Sequence, residues 1–124
     1  MDNKEFGSIL EERTRKFAVE IIRFSTGLPD TPEWKVIRNQ ISKAGTSIGA
    51  NYHEANRSRS IAEFISKIKL CAGEANEVVF WINLIQNLKP TDRKVPLIQS
   101  EVNELLAIFT SIIHTSKLKK NGEL

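Results

Sequence analysis

Two histidines, one cysteine and a scatter of carboxylates are the residues with which this sequence could do chemistry. A carboxylate-bridged di-metal site in a helical protein needs inward glutamates and a Glu-x-x-His pair on each of two helices. Here Ala50 stands three residues before His53 and Ser111 three before His114, so neither pair exists. No His-Glu-x-x-His zinc pattern occurs. Cys71 alone can form neither an internal disulfide nor a structural zinc site of the usual kind. Both histidines read as surface or helix-end residues, and Cys71 as a small hydrophobe on an apolar stripe. Gly45 and Gly49 follow no strand, which fails the context of a phosphate-binding loop. Glu54 and Glu77 could meet across two antiparallel helices and carboxylate pairs can do acid–base work, but nothing else supplies a substrate pocket. The expectation is no catalytic residue, no metal and no cofactor.

The same polar groups have a structural reading. Ser47, Asn51 and Glu54 follow one another at helical spacing beside apolar positions, and with Glu77 they could form a hydrogen-bonded network that fixes helix register. They could equally hold the turn that follows. Charge is more suggestive. Net charge is only +3, but from Lys35 to Lys69 the ionised residues are Lys35, Arg38, Lys43, Arg57, Arg59, Lys67 and Lys69 against Glu54 and Glu63. Lys117, Lys119 and Lys120 form a second cluster. Such local excess attracts phosphate, although it also fits a solvated face. Aromatic residues make up 7% and Tyr52 is the one tyrosine, which argues against a base-stacking platform.

The elements that must position these residues are four helices. The first starts near Phe6 to Ser8 and runs to Thr26 on a seam of Leu10, Thr14, Phe17, Ile21 and Phe24, with Gly27 as a left-handed cap and Pro29 as a block. Thr31 and Pro32 are an N-cap and first-turn pair, and the second helix runs to about Glu54 on Trp34, Ile37, Ile41, Ala44 and Ile48. Gly45 and Gly49, one turn apart within it, sacrifice helix propensity and let another backbone come close. Ser60 and Glu63 form a capping-box pattern opening a third helix to Leu88. Its first seam is Ile61, Phe64, Ile68, Cys71, Ala75, Val78, Ile82 and Ile85. Leu70, Trp81, Leu84 and Leu88 fall on another side, so this helix has nearly two apolar faces. It is either the most central helix or covered by another subunit, and the second alternative is favoured. Pro90 ends it. The fourth helix is firm from Pro96, on Ile98, Val102, Leu105, Phe109 and Ile112, widened by Leu106 and Ile113.

At 124 residues the chain is one domain, read as an antiparallel up-down-up-down four-helix bundle over residues 1–116, with 117–124 a basic tail that frays. No apolar run approaches the roughly 20 residues needed to span a bilayer. The charged N-terminus lacks the apolar centre of a signal peptide, so a cytoplasmic location and no membrane partner are expected.

Gln40, Lys43-Ala44, Ser47-Ile48-Gly49-Ala50-Asn51 and Glu54, followed by Arg57, Arg59, Phe64 and Cys71-Ala72-Gly73-Glu74-Ala75-Asn76-Glu77, carry a likeness spanning most of the chain. The pattern resembles the four-helix-bundle family named after proteins encoded in the intervening sequences of bacterial 23S rRNA genes. Departures are Ser42, where a second basic residue is usual, Tyr52-His53 in place of small or aliphatic residues, Ala55 for Gly and Glu74 for Ser. The missing basic residue weakens an inherited nucleic-acid function and leaves the fold untouched. The resemblance implies a ring-like homo-oligomer, pentamers being the expected form, in which a modest basic patch is repeated around the ring. Distantly similar bundles act as accessory factors of diversity-generating retroelements, where a basic barrel meets nucleic acid and a reverse transcriptase.

Two functions therefore compete. A non-enzymatic homo-oligomer could bind RNA or DNA through backbone phosphates, using Lys35, Arg38, Lys43, Arg57 and Arg59, with Lys67 and Lys69 in support. Alternatively, apolar surface including Trp81 and Leu84 could recruit another protein, making the chain an interaction scaffold or accessory factor. Convergence of the basic side chains on one surface would favour the first.

Overall fold

The computed structural model describes residues 1–124 as four helices and no strands: α1 (Asn3–Thr26), α2 (Pro32–Ala55), α3 (Ile61–Leu88) and α4 (Val95–Lys120). Three of the helix starts are fixed by side chains that satisfy a first-turn N–H. Asp2 Oδ1 accepts from Glu5 N at 2.8 Å, Thr31 Oγ1 from Trp34 N at 3.3 Å and Ser60 Oγ from Glu63 N at 3.1 Å. The Asp2 cap moves the start of α1 ahead of the expected Phe6–Ser8.

Two helix ends also differ from expectation. Gly27 is not left-handed: its φ of −87° and ψ of −5° are right-handed, and its N–H closes on Phe24 O. The tight last turn satisfies the free carbonyls, so no positive φ is needed. The helical conformation extends beyond Ser116 into the 117–124 tail. The helix continues through Lys120, with Lys117, Lys119 and Lys120 in its last turn, where cations offset the negative end of the helix dipole. Ser116 is buried and Leu118 half-buried, so part of this turn also packs.

The core follows the apolar periods. Phe17, Ile21, Ile41, Ile48, Ile68, Val78, Ile82, Ile85, Leu105 and Phe109 are essentially excluded from solvent. On α3 the first turn departs from the expected seam: Ile61 is 41% exposed and Phe64 half-buried, while Ile65 goes inside. Trp34 and Ile112 sit at the core edge. Tyr52, one turn beyond Ile48, continues the α2 stripe and is buried against Phe109, with ring centroids 6.1 Å apart.

The pairings between α1 and α2 and between α2 and α3 run in opposite residue order. On α1 and α2, Gly7 O accepts from Asn56 Nδ2 at 3.1 Å, Thr14 faces Gly49, Ile21 faces Gly45, and Ser42 Oγ donates to Ser25 Oγ at 3.0 Å. Between α2 and α3, Cys71 Sγ lies 3.7 Å from Ile48 O and Lys67 Nζ 3.3 Å from Glu54 Oε1. Between α3 and α4, Gln99 Nε2 donates to Asn83 and Gln86, both at 3.0 Å. These pairings are compatible with an up-down bundle. Sequential helices pack closely, whereas α1 and α4 approach much less. Arg13 bridges that wider seam, meeting Glu101 through Nε at 2.8 Å and Nη2 at 2.6 Å, and Glu104 at 3.2 Å. No helix is long and apolar enough to cross a membrane.

The glycine pair on α2 makes the α1–α2 packing possible. A Cβ at Gly45 would stand 2.7–3.0 Å from the buried Ile21 side chain, and one at Gly49 would stand 3.3 Å from Thr14 O. Overpacking costs about 1–3 kcal/mol, against ~1 kcal/mol of helix propensity gained. Gly45→Ala is therefore expected to lower unfolding free energy by up to about 2 kcal/mol. In a urea-denaturation double-mutant cycle, Ile21→Ala combined with Gly45→Ala should lose less than the sum of the single losses. Simple additivity would refute a steric origin.

Candidate functional site

The seven basic residues singled out by charge do not gather on one surface of the chain. Lys35 and Arg38 stand at the start of α2, both on Asp30, at 3.9 and 3.3 Å. Arg57 and Arg59 lie in the turn after α2. Helix rise of 1.5 Å per residue puts Arg38 roughly 25 Å from the end of α2 at Ala55, beyond which Arg57 lies. Lys43 lies between them on exposed α2 surface, and Lys67 and Lys69 lie on the early turns of α3.

Ion pairing divides the set again. Lys35, Arg38, Arg57 and Lys67 are each within reach of a carboxylate, whereas Lys43, Arg59 and Lys69 have none. Arg57 is the most engaged: its Nη1 donates to Glu11 Oε1 and to His53 O, both at 2.7 Å. Glu11 also accepts from Asn56 Nδ2 at 3.2 Å, and His53 Nδ1 lies 3.7 Å away. The Arg57 hydrogen bond, above all, holds the Glu11 carboxyl below its ordinary value, with Asn56 and His53 adding to it.

One end of the bundle does concentrate cations from separate elements. Asn3 and Phe6 of α1, Tyr52 of α2, Asn56 just beyond it, Phe64 of α3, and Thr115 and Lys119 of α4 line a cleft of about 320 Å³. An adjoining, wholly polar groove shares Asn3, Gly7 and Asn56 and adds Lys4, Glu11 and Arg57. Arg57 and Lys119, far apart in sequence, therefore flank adjoining depressions. Lys4, Arg59, Lys117, Lys119 and Lys120, all at this end, make no ion pair. Lys4 escaped the sequence reading because it lies among acidic neighbours on α1. The chain order of α1, α2 and α4 alone could have placed it beside Lys119.

Of the four residues of the expected polar network, Asn51 and Ser47 are joined, by the Asn51 side chain on the Ser47 carbonyl, and the others find different partners. Ser47 Oγ donates to Lys43 O at 2.7 Å and Asn51 Nδ2 to Ser47 O at 3.0 Å, both within α2. Glu54 pairs with Lys67, and Glu77 accepts the Trp81 indole N–H at 3.2 Å within α3. Because Lys67 is the α3 partner of Glu54, Glu77 lies ten residues farther along, roughly 15 Å away. The two carboxylates are not an acid–base pair.

The second apolar side of α3 faces outward. Leu70 and Leu88 are 51% and 53% exposed, and Trp81 and Leu84 are half-buried at the core edge. Phe80, absent from both sequence seams, is 58% exposed and meets Trp81 edge-to-face at 4.9 Å. Leu70, Phe80 and Leu88 are the members of this stripe that the chain leaves most open. No three His, Cys, Asp or Glu side chains come together in a way that could hold a metal, and His53 and His114 are exposed.

Two buried groups titrate abnormally. Burial pushes the Cys71 thiol from its ordinary 9.0 up to about 12, and the Tyr52 phenol from 10.0 to about 12. Both hold their protons more tightly in the folded chain, so their contribution to stability is intact below pH 9 and is lost as pH rises towards 12. The urea midpoint should therefore fall over this window, and fall less steeply in Cys71→Ala. Parallel curves for the two proteins would refute the role of the thiol.

Comparison with known proteins now adds to this geometry. The family model described as 23S rRNA-intervening sequence protein matches residues 9–111. The fold is similar to the crystal structure of a protein with unknown function from the S23 ribosomal protein family of Bacteroides thetaiotaomicron VPI-5482. The TM-score is 0.76 at 33% identity, over 83% of this chain and 96% of that one. No curated protein matches.

Proposed function

The chain belongs to the 23S rRNA-intervening sequence protein family, and from that premise we propose that it is a non-enzymatic, homo-oligomeric bundle that binds RNA or DNA through a basic surface. The observation that carries this reading is that unpaired Lys4 of α1 and Lys119 of α4 stand with Arg57 of the α2–α3 turn around two adjoining depressions at one end of the bundle. Lys4, Arg59, Lys117, Lys119 and Lys120 are free to meet phosphate there, with Arg57 able to exchange Glu11 for it. Lys67 and Lys69 lie near the same end. Lys35, Arg38 and Lys43 extend the contact only if the ligand runs along α2. Such binding is governed by counterion release and carries little sequence preference.

The helices are arranged up-down-up-down and antiparallel, and protomers associate side by side through Leu70, Trp81, Leu84 and Leu88 of α3, joined by Phe80. A closed ring, five-membered as the family resemblance implies, repeats the basic end around its rim. The protein works in the bacterial cytoplasm. The same exposed α3 face supports a second reading, a scaffold that recruits a different protein and touches no nucleic acid.

Binding of a labelled structured RNA and a DNA duplex, measured across salt concentrations, tests the first reading. Arg57→Ala/Arg59→Ala should weaken both complexes and lower the slope of log K against log salt by about one to two units per protomer. Absence of binding at low salt would overturn nucleic-acid binding and leave the scaffold. Sedimentation velocity tests assembly separately: Leu70→Glu/Leu88→Glu should dissociate the oligomer while leaving the helical content intact. A wild-type monomer at micromolar concentration would overturn the self-association.

A further inference from the structure

The cleft at the basic end is more than a charged surface. Aromatic residues are scarce in the sequence, yet Phe6, Tyr52 and Phe64, from three different helices, line this one depression. Phe6 is 41% exposed, Phe64 is half-buried, and Tyr52 closes the inner end. Asn56 sits beside them with Nδ2 committed to Gly7 O and Glu11 Oε1 and its side chain also engaging the Tyr52 phenol, so its Oδ1 keeps one lone pair as an acceptor. Thr115 adds a hydroxyl, and Lys119 stands on the lining as a cation. The phenol of Tyr52 remains protonated at neutral pH and is engaged by Asn56. At about 320 Å³ the space is at the lower end of the range for small-ligand sites.

An apolar aromatic floor, one amide acceptor, hydroxyls and a cation are the chemistry that receives a flat heterocycle attached to an anion. We infer that this cleft takes a single nucleotide unit of a single-stranded nucleic acid, its base against Phe6 and Phe64 and its phosphate on Lys119. This inference rests on the phosphate-binding reading and adds to it a preference for unpaired over paired strands. A duplex can reach the surrounding cations but cannot present an unstacked base to the cleft. Bases are read here by shape and stacking, with Asn56 Oδ1 favouring those that carry an exocyclic amino group.

Anisotropy with fluorescein-labelled oligo(dA), as a single strand and as its duplex with oligo(dT), tests the inference at fixed salt. Thr115→Trp and, independently, Ser111→Trp would fill the cleft from exposed positions of α4 without removing a cation. Each filled variant should keep wild-type helicity and lose on the order of tenfold in single-strand affinity, with duplex affinity changed by less than about twofold. Lys119→Gln should weaken both. Equal loss for both ligands, or none in either filled variant, would overturn the cleft assignment while leaving phosphate binding in place. Failure of the wild type to bind either ligand would overturn both readings.

Discussion

The closeness of α1 to α2 is the constraint on which the rest of the structure depends. It is set at Gly45 and Gly49, where the absence of two methyl groups lets the Ile21 side chain and the Thr14 backbone settle against α2. Because α1 approaches α4 much less, the position of α1 in the bundle is decided chiefly by this crossing. From it follow the alignment of Gly7 with Asn56 and of Ser25 with Ser42. The first of those pairs in turn fixes the wall that α1 contributes to the terminal cleft. A local choice of glycine thus positions a surface two turns away.

Carboxylates neutralise much of the basic stretch that runs along the chain: Asp30 takes Lys35 and Arg38, Glu11 takes Arg57, and Glu54 takes Lys67. Exposed pairs of this kind add little to stability, so their main effect is to redistribute potential. Unpaired cations stand at the cleft end, Lys4 and Lys119 among them, and also elsewhere, as at Arg15, Lys43 and Arg93, while exposed apolar side chains run along the side of α3. Association through a side leaves an end open, and the two surfaces could serve different contacts without competing.

Helix number, the caps at Thr31 and Ser60, the core of α2 and the close approach at Gly45 and Gly49 were all legible in the sequence, because each depends on residues within a turn or two. The outward face of α3 was legible for the same reason. What was not legible depends on partners distant in sequence or on a choice among local solutions. Gly27 can close a helix in either hand, and the tight turn to Phe24 O prevailed. Ser47, Asn51 and Glu77 each satisfy themselves within their own helix, an option that spacing alone does not distinguish from bonds between helices. The terminal cleft escaped because Phe6, Tyr52, Phe64 and Lys119 share no local pattern. Composition recorded few aromatics, but it carries no information on where they meet.

The dominance of packing between consecutive helices, with one long-range clamp at Arg13, has a consequence for how the chain reaches this state. Most contacts close short loops, so little chain entropy is lost before each one forms. Low contact order of this kind belongs to domains that fold in microseconds to milliseconds. The α1–α2 hairpin carries its own tight crossing and can form while α4 is still being synthesised. Contact between α1 and α4, by contrast, relies on the long charged side chains of Arg13, Glu101 and Glu104.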